Sequence, residues 1–234
     1  MLISVVIGAL NEEKYIAKTL STVRVQRTNH EFEVLVGDGY SEDNTVKIAK
    51  SFGAKVVKEK NRSAAWERQA AANIAKGKII VFTDADAIVP ENWLEQIAVE
   101  FEKDPKLVML YGPVYFSDTP SWEKSLSKIV MSLYLAILAL LGFHNPIGSN
   151  IAVRANAFRK ANGFNTSLIT AEDLDLVHRM KKQGKLKFSR NIHLHVSARR
   201  VKKWGYLKFT LFHILNGLRY QFTGKGKTDY EPVR

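Results

Sequence analysis

Through the first 115 residues, short β-branched runs alternate with stretches of helical periodicity, and this alternation leaves few folds open. "LISVVI" (2–7) reads as a strand and "NEEKYIAKTLSTVRVQ" (11–26) as a helix with acids in its first turn. "FEVLVGDG" (32–39) is a second strand, and "SEDNTVKIAKSFG" (41–53) a helix with Ser41 as N-cap and Gly53 as stop. "AKVVKE" (54–59), "SAAWERQAAANIAKG" (63–77), "KIIVFT" (78–83) and "PENWLEQIAVEFEK" (90–103) continue the pattern. Strand–helix alternation at this spacing predicts an α/β fold, with a parallel-dominated central sheet flanked by helices. Ligands of such sheets sit outside the carboxyl ends of the strands. Asn11 and Glu12, Asp38, and the pair Asp84 and Asp86 emerge at three of those ends.

A chain of 234 residues at 46% hydrophobic can bury one sizeable core. With no cysteine, thiolate nucleophiles and cysteine-held metals are excluded, so any metal site must use oxygen and imidazole. No G-x-G-x-x-G follows the first strand and no G-x-x-x-x-G-K-[ST] occurs, which argues against a dinucleotide fold of the usual kind or a P-loop. Met1 to Ile7 lack a basic region and a long apolar core, so a cytoplasmic location is expected. The formal charge of +12 is concentrated: Lys185 to the C-terminus holds 12 Lys or Arg against two acids. That basic region suits an anionic partner, whether substrate phosphates, nucleic acid or an acidic membrane leaflet, the alternative being a solvated basic surface.

The regular alternation stops after Gly112. Ile129 to Phe143 is apolar except for Ser132 and Gly142, short of the roughly 20 residues of a spanning helix, and is expected to form a buried or half-immersed helix. In "WGYLKFTLFHILNGLRYQF" (204–222), Trp204, Leu207, Leu211, Ile214, Leu215, Leu218 and Phe222 share one helical stripe, with Lys208 and Arg219 at its margin. Such a helix suits a membrane interface, the alternative being packing on the protein's own core. "TGKGKTDYEPVR" (223–234) is expected to be a mobile tail.

Two carboxylates at i and i+2 repel when held close, raising one pKa unless a cation neutralises them. A divalent metal with bound phosphate suits Asp84 and Asp86, because Mg²⁺ takes one or two protein carboxylates plus phosphate oxygens. The bland alternative is that one of them caps the helix at Pro90 or shapes the turn. Alternation in "IHLHVSARR" (192–200) puts His193 and His195 on one strand face, where imidazole could ligate metal or serve as a satisfied structural histidine. Glu172 and Asp173 stand at a helix start, where they complement the dipole with Thr170 as cap, or offer a base. Arg199 and Arg200 carry guanidinium forks suited to phosphate.

Five segments in order, "SVVIGALNEEKYIAKTL" (4–20), "VLVGDGYSEDNTVKIA" (34–49), "RSAAWERQAAANIAKGKIIVFTDAD" (62–86), "GSNIAVRANAFRKANGFN" (148–165) and "TAEDLDLVHRMKKQGK" (170–185), resemble the family 2 glycosyltransferases of the GT-A fold. The resemblance covers about residues 2–200 and implies an inverting, metal-dependent transfer of a sugar from a nucleoside diphosphate donor to a hydroxyl or phosphate. It implies a Rossmann-like GT-A domain over 1–200, with a nucleotide-sugar half (1–115) and an acceptor half (116–200), followed by an amphipathic basic region (201–234). By the same resemblance Asp38 would hold the base or ribose, with Ala9, Asn11 and Glu12 bordering the nucleotide, and Arg68 would touch nucleotide or diphosphate. Asp84, Ala85 and Asp86 match the D-x-D motif, Asp84 facing the ribose and Asp86 ligating Mn²⁺ or Mg²⁺, with His195 as a further ligand. Asp173 matches the catalytic base, with Glu172 beside it. Gly148, Ser149 and Asn150 would form a polar bend on the acceptor side, and Arg199 and Arg200 would meet diphosphate or lipid phosphate. Leu10 stands where many relatives carry an aromatic that stacks on the base; a UDP-sugar is favoured, with GDP-mannose the alternative. The expected acceptor is a membrane-associated lipid or glycan, met by a peripheral protein on the cytoplasmic face, and no nucleic acid is expected. Two rival readings are a sugar-phosphate nucleotidyltransferase, disfavoured because "GALNEEKYI" lacks a Gly-rich basic loop, and a nucleic-acid-binding protein using the basic tail.

Overall fold

The computed structural model describes residues 1–227. The chain runs β1 (Leu2–Ala9), α1 (Ile16–Arg24), β2 (Glu31–Asp38), α2 (Thr45–Ser51), β3 (Lys55–Lys58), α3 (Ala64–Asn73), β4 (Ile79–Asp84), α4 (Trp93–Lys103), β5 (Leu107–Tyr111) and β6 (Val114–Phe116). It continues through α5 (Ser121–Leu140), β7 (Ile151–Arg154), α6 (Ala155–Lys160), α7 (Glu172–Met180), β8 (Lys185–Phe188), β9 (Leu194–Val196), α8 (Arg199–Trp204) and α9 (Tyr206–Thr223). Seven strands form one sheet in the order β3-β2-β1-β4-β7-β5-β8, and β6 pairs with β9 in a second.

The sheet is parallel except for β7, which runs antiparallel between β4 and β5. Its central strands β1, β4, β5 and β7 are buried on both faces, which is why their sequences read as nearly continuous apolar runs. Along β1, Val5 and Ile7 point into a layer with Ile16 and Leu20 of α1 and Trp93 and Ile97 of α4. Val6 points to the opposite layer, with Phe82, Ala71 of α3, Phe158 of α6 and Leu176 of α7. Gly37 lets α3 approach β2: a Cβ there would lie 1.8 Å from the Glu67 carbonyl oxygen.

Parallel register gathers the polar strand ends. Ala9 pairs with Asp38 across β1–β2, and Gly8 with Asp84 across β1–β4, so all three ends lie on one edge. Because β7 is inverted, its amino end joins them: Ile151 pairs with Phe82 and Tyr111, bringing Gly148–Asn150 to the same edge.

Several local expectations are corrected. Helix α1 starts at Ile16, not Asn11, because Asn11 takes a left-handed φ of 54° and residues 11–15 form a turn; no acid lies in the helix's first turn. Asn44, not Ser41, precedes α2, and the Ser41 hydroxyl instead accepts from the Asn11 N–H at 2.9 Å. Asn92 precedes α4, so neither Asp84 nor Asp86 caps it. Ala171, not Thr170, occupies the N-cap of α7; the Thr170 hydroxyl bonds Asn216 and Lys227. Of the expected mobile tail, residues up to 227 fold back on α9, with the Lys227 N–H donating to Asn216 (2.7 Å); residues 228–234 lie outside the described residues.

The apolar 129–143 stretch is not buried. Within α5 only Leu135 is enclosed. Among the described residues no helix is long and apolar enough to cross a membrane. The apolar stripe of α9 likewise faces outward rather than packing on the core, apart from Trp204, which Gly205 separates from it by ending α8.

Candidate active site

At the polar edge the acids are held by two arginines. Arg68, on α3 and only 5% exposed, donates to Asp84 (2.6 Å) and to Glu172 at the start of α7 (3.0 Å). Burial alone would lower its pKa, but Asp84 and Glu172 override this and keep the guanidinium charged. Gly148 gives it room: a Cβ there would come within 2.6 Å of Arg68 Nη1. Arg68 therefore ties the strand that carries D-x-D to the helix that carries Asp173.

Arg199, the first residue of α8, makes a bidentate pair with Glu12 (2.8 and 2.6 Å), approaches Asp86 at 3.4 Å and lies 4.6 Å over the Tyr15 ring. A fork matched to a carboxylate and stacked on an aromatic is an arrangement lysine cannot reproduce. Glu12 is 4% exposed and Asp86 10%, so both charges are largely out of water. Burial, with Asp84 and Glu12 adding to it, pushes Asp86 up to about 7 against the pull of Arg199.

Asp38, fully buried at the end of β2, accepts from the Ser41 N–H at 3.2 and 3.3 Å. Asn11 accepts from the Glu42 N–H (2.8 Å), and the Glu12 N–H donates to Thr45 (2.7 Å), locking the first two strand-end loops together. Ala9, Leu10 and Ala85 are buried beside them.

Glu172 and Asp173 both stand in the first turn of α7, so the dipole does favour them there. Their situations nevertheless differ. Glu172 is committed to Arg68, while Asp173 accepts from the Leu174 N–H (2.8 Å) and has no ion pair among the described residues. Burial first, then the charge of Glu172, push Asp173 up to about 7.

Four further expected residues have the following surroundings. His195 lies beside Tyr115 and His193 (ring centroids 5.6 and 6.0 Å) and its backbone pairs with Ile88, two residues beyond Asp86, but its ring makes no ion pair with a carboxylate among the described residues; burial and then Lys128 push it down to about 4. Among the described residues no three His, Asp or Glu side chains gather as a metal cage. Asn150 is a structural tie, accepting from the Trp93 indole (3.2 Å) and donating to the carbonyls of Pro113 (3.1 Å) and Ile192 (2.5 Å); Ser149 is also buried. Arg200 lies close enough to His213 of α9 for its charge, after burial, to oppose protonation of that ring. Sequence reasoning missed Tyr15, which nothing but its closeness to Asn11 could have suggested.

The raised Asp86 value implies a cost. Unfolded, its carboxyl loses a proton near 3.8; folded, it does so near 7, so folding binds a proton in between and stability falls as pH rises through that window. We expect Asp86→Asn to stabilise the protein against urea at pH 8 by on the order of 2 kcal/mol, with the gain disappearing near pH 4. Equal stability of the two proteins at pH 8 would contradict the assignment of strain to Asp86.

The chain is similar to several known proteins. The protein matches the "Glucosyl-dolichyl phosphate glucuronosyltransferase" of Haloferax volcanii at 25% identity over 183 residues, 71% of this chain and 57% of that protein. The first three curated relatives are longer, the chain spanning 28% to 60% of their length. Among solved structures, S. aureus TarS in complex with UDP superposes with a TM-score of 0.68 at 18% identity, over 95% of this chain and 73% of that one. The mannosyltransferase PcManGT from Pyrobaculum calidifontis, in complex with GDP-Man and Mn²⁺, gives 0.67 at 20% identity, over 96% and 65%. These likenesses identify the seven-stranded, mostly parallel sheet as a GT-A fold. The family model described as "Glycosyl transferase family 2" matches residues 4–161, from the first strand through D-x-D to the end of α6, and the chain belongs to that family.

Proposed function

We propose that the protein is an inverting, metal-dependent hexosyltransferase that moves a sugar from a nucleoside diphosphate to an acceptor hydroxyl or phosphate, with Asp173 as base. The observation that carries this reading is the division of labour on α7: Glu172 is held by Arg68, whereas Asp173 makes no ion pair among the described residues, and burial with the charge of Glu172 raises its pKa. A base near the working pH combines adequate deprotonation with adequate proton affinity. In the transfer, the Asp173 carboxylate takes the acceptor proton as the acceptor oxygen bonds to the anomeric carbon. The bond to the diphosphate oxygen breaks on the opposite face, and the nucleoside diphosphate leaves with the electron pair. Residues 1–115 would form the donor half and 116–200 the acceptor half of the transferase domain, with 201–234 appended.

On the donor side, Asp38, Asn11 and Glu12 would border the nucleoside, with Ala9 and Ala85 buried behind them. Asp84 would face the ribose while Arg68 orients it. The carboxylates fit a divalent cation shared with a diphosphate rather than a closed protein site: Asp86 concentrates negative charge, and too few ligands gather for a cage. Asp86 would hold Mn²⁺ or Mg²⁺ with Asp84 adjacent, the ion supplying neutralisation of charge on the leaving diphosphate. Arg199, already at Asp86, would contribute to phosphate binding. The UDP of TarS supports a uridine donor, and the GDP-Man and Mn²⁺ of PcManGT keep guanosine as the alternative and support Mn²⁺. The glucosyl-dolichyl phosphate in the name of the H. volcanii relative supports a lipid-linked acceptor.

The test is thermal unfolding with a panel of sugar nucleotides. A cognate UDP-sugar with Mn²⁺ is expected to raise Tm, by about 2.7 kcal/mol of stabilisation at a hundredfold excess over Kd, and EDTA to abolish the shift. A shift that survives EDTA removes the metal role of Asp86; release of pyrophosphate from a nucleoside triphosphate and sugar phosphate would overturn the transferase reading.

A further inference from the structure

Large apolar side chains are exposed on this protein in two places above all. Ten lie between Trp122 and Phe143, seven between Tyr206 and Phe222, and four elsewhere. On α5, Trp122, Leu126, Ile129, Val130, Leu133, Ile137 and Leu140 recur at helical spacing, and on α9 so do Leu207, Leu211, Ile214, Leu215, Leu218 and Phe222. Trp122 is 70% exposed, Leu140 87% and Phe222 86%, so neither stripe rests on the domain. Their opposite sides do: Ser132 bonds the Tyr115 hydroxyl (2.6 Å) and Leu135 is buried under α5, while Asn216 and Tyr220 anchor α9 to Thr170 and Asp175. Each helix is thus fixed by one face with its apolar face turned out. Monomeric proteins rarely leave contiguous apolar faces uncovered.

Charge selects what covers them. From Arg200 to Lys227 there are seven Lys or Arg and no acid, Lys208 and Arg219 bordering the α9 stripe; the lysines of α5 lie on its anchored side, Lys128 over the Tyr115 ring at 5.8 Å. Two copies meeting through this face would bring like charges together, as a two-fold interface pairs a patch with itself. An anionic lipid surface instead receives the apolar side chains between headgroups while the basic residues meet lipid phosphates.

We propose that α5 and α9 together form a docking face on which the protein rests in the interface of an anionic bilayer. This needs no donor, metal or turnover, so it stands apart from the transferase reading. The test is co-sedimentation with phosphatidylcholine vesicles, with and without phosphatidylglycerol, and Trp122 quenching by brominated lipid. Binding is expected to the anionic vesicles, to weaken with salt, and to drop by about fivefold for each charge in Lys208→Glu and Arg219→Glu. Leu133→Glu on α5 and Leu215→Glu on α9 are each expected to weaken binding by about tenfold or more, because a charge must then enter the apolar layer. Both positions are exposed, so unchanged circular dichroism and an unchanged urea unfolding midpoint would show that the variants remain folded. No binding to either vesicle overturns the proposal. So does a concentration-dependent dimer abolished by Leu133→Glu or Leu215→Glu, which would assign the face to a second copy.

Discussion

Asp173→Asn is expected to lower kcat by about 10²- to 10⁴-fold, the range for loss of a general base, while sugar-nucleotide affinity stays within about twofold. The split follows from position: Asp173 lies on α7 with its oxygen on the Leu174 N–H, whereas the proposed donor contacts come from the ends of β1, β2 and β4. The pH profile carries the second half of the result. Burial and Glu172 hold Asp173 near 7, and only the ionised form can accept a proton, so kcat/KM should fall tenfold per unit below about pH 7. An acid limb centred near 4, or near-normal turnover by Asp173→Asn, would remove Asp173 from that role.

Arg68→Gln is expected to destabilise the fold by about 3 kcal/mol, the lower end of the range for breaking a buried pair, since Asp84 is 40% exposed and recovers some hydration. Glutamine leaves Glu172, at 13% exposure, beside Asp173 with no cation between them. Arg68→Lys should restore little, because one ammonium cannot repeat two directed contacts of 2.6 and 3.0 Å to different carboxylates. Loss of Arg68 should also move the acid limb upward, since its charge is among those pulling Asp173 down. Urea unfolding and the pH profile of residual activity check the two effects separately. An unchanged unfolding midpoint would mean that the Arg68 contacts contribute nothing net.

Much of the polar edge was legible because it depends on local pattern. Alternating apolar runs and helices announce a parallel sheet, and a parallel sheet collects its strand ends, so Asn11, Asp38 and Asp84 meet by topology alone. Element boundaries were less legible: Ser41 and Thr170 have cap chemistry, but tertiary partners, the Asn11 N–H and Asn216, claim their hydroxyls. His195 alternates correctly on its strand, yet β9 pairs with β6 and turns the ring toward Tyr115 and the lysines of α5.

By itself the sequence determined the parallel framework, the acids at its edge and the pair Glu172–Asp173, since these follow from periodicity and adjacency. Only the tertiary structure decided which cation serves which acid. Arg199 reaches Glu12 across 187 residues and Arg68 reaches Glu172 across 104, separations at which no spacing rule operates. It also decided that β7 runs backward, bringing Gly148 against Arg68, and that the apolar stripes of α5 and α9 face outward. An amphipathic helix carries the same pattern whether it covers a core or faces away from one; the difference lies in what the other face has already been anchored to.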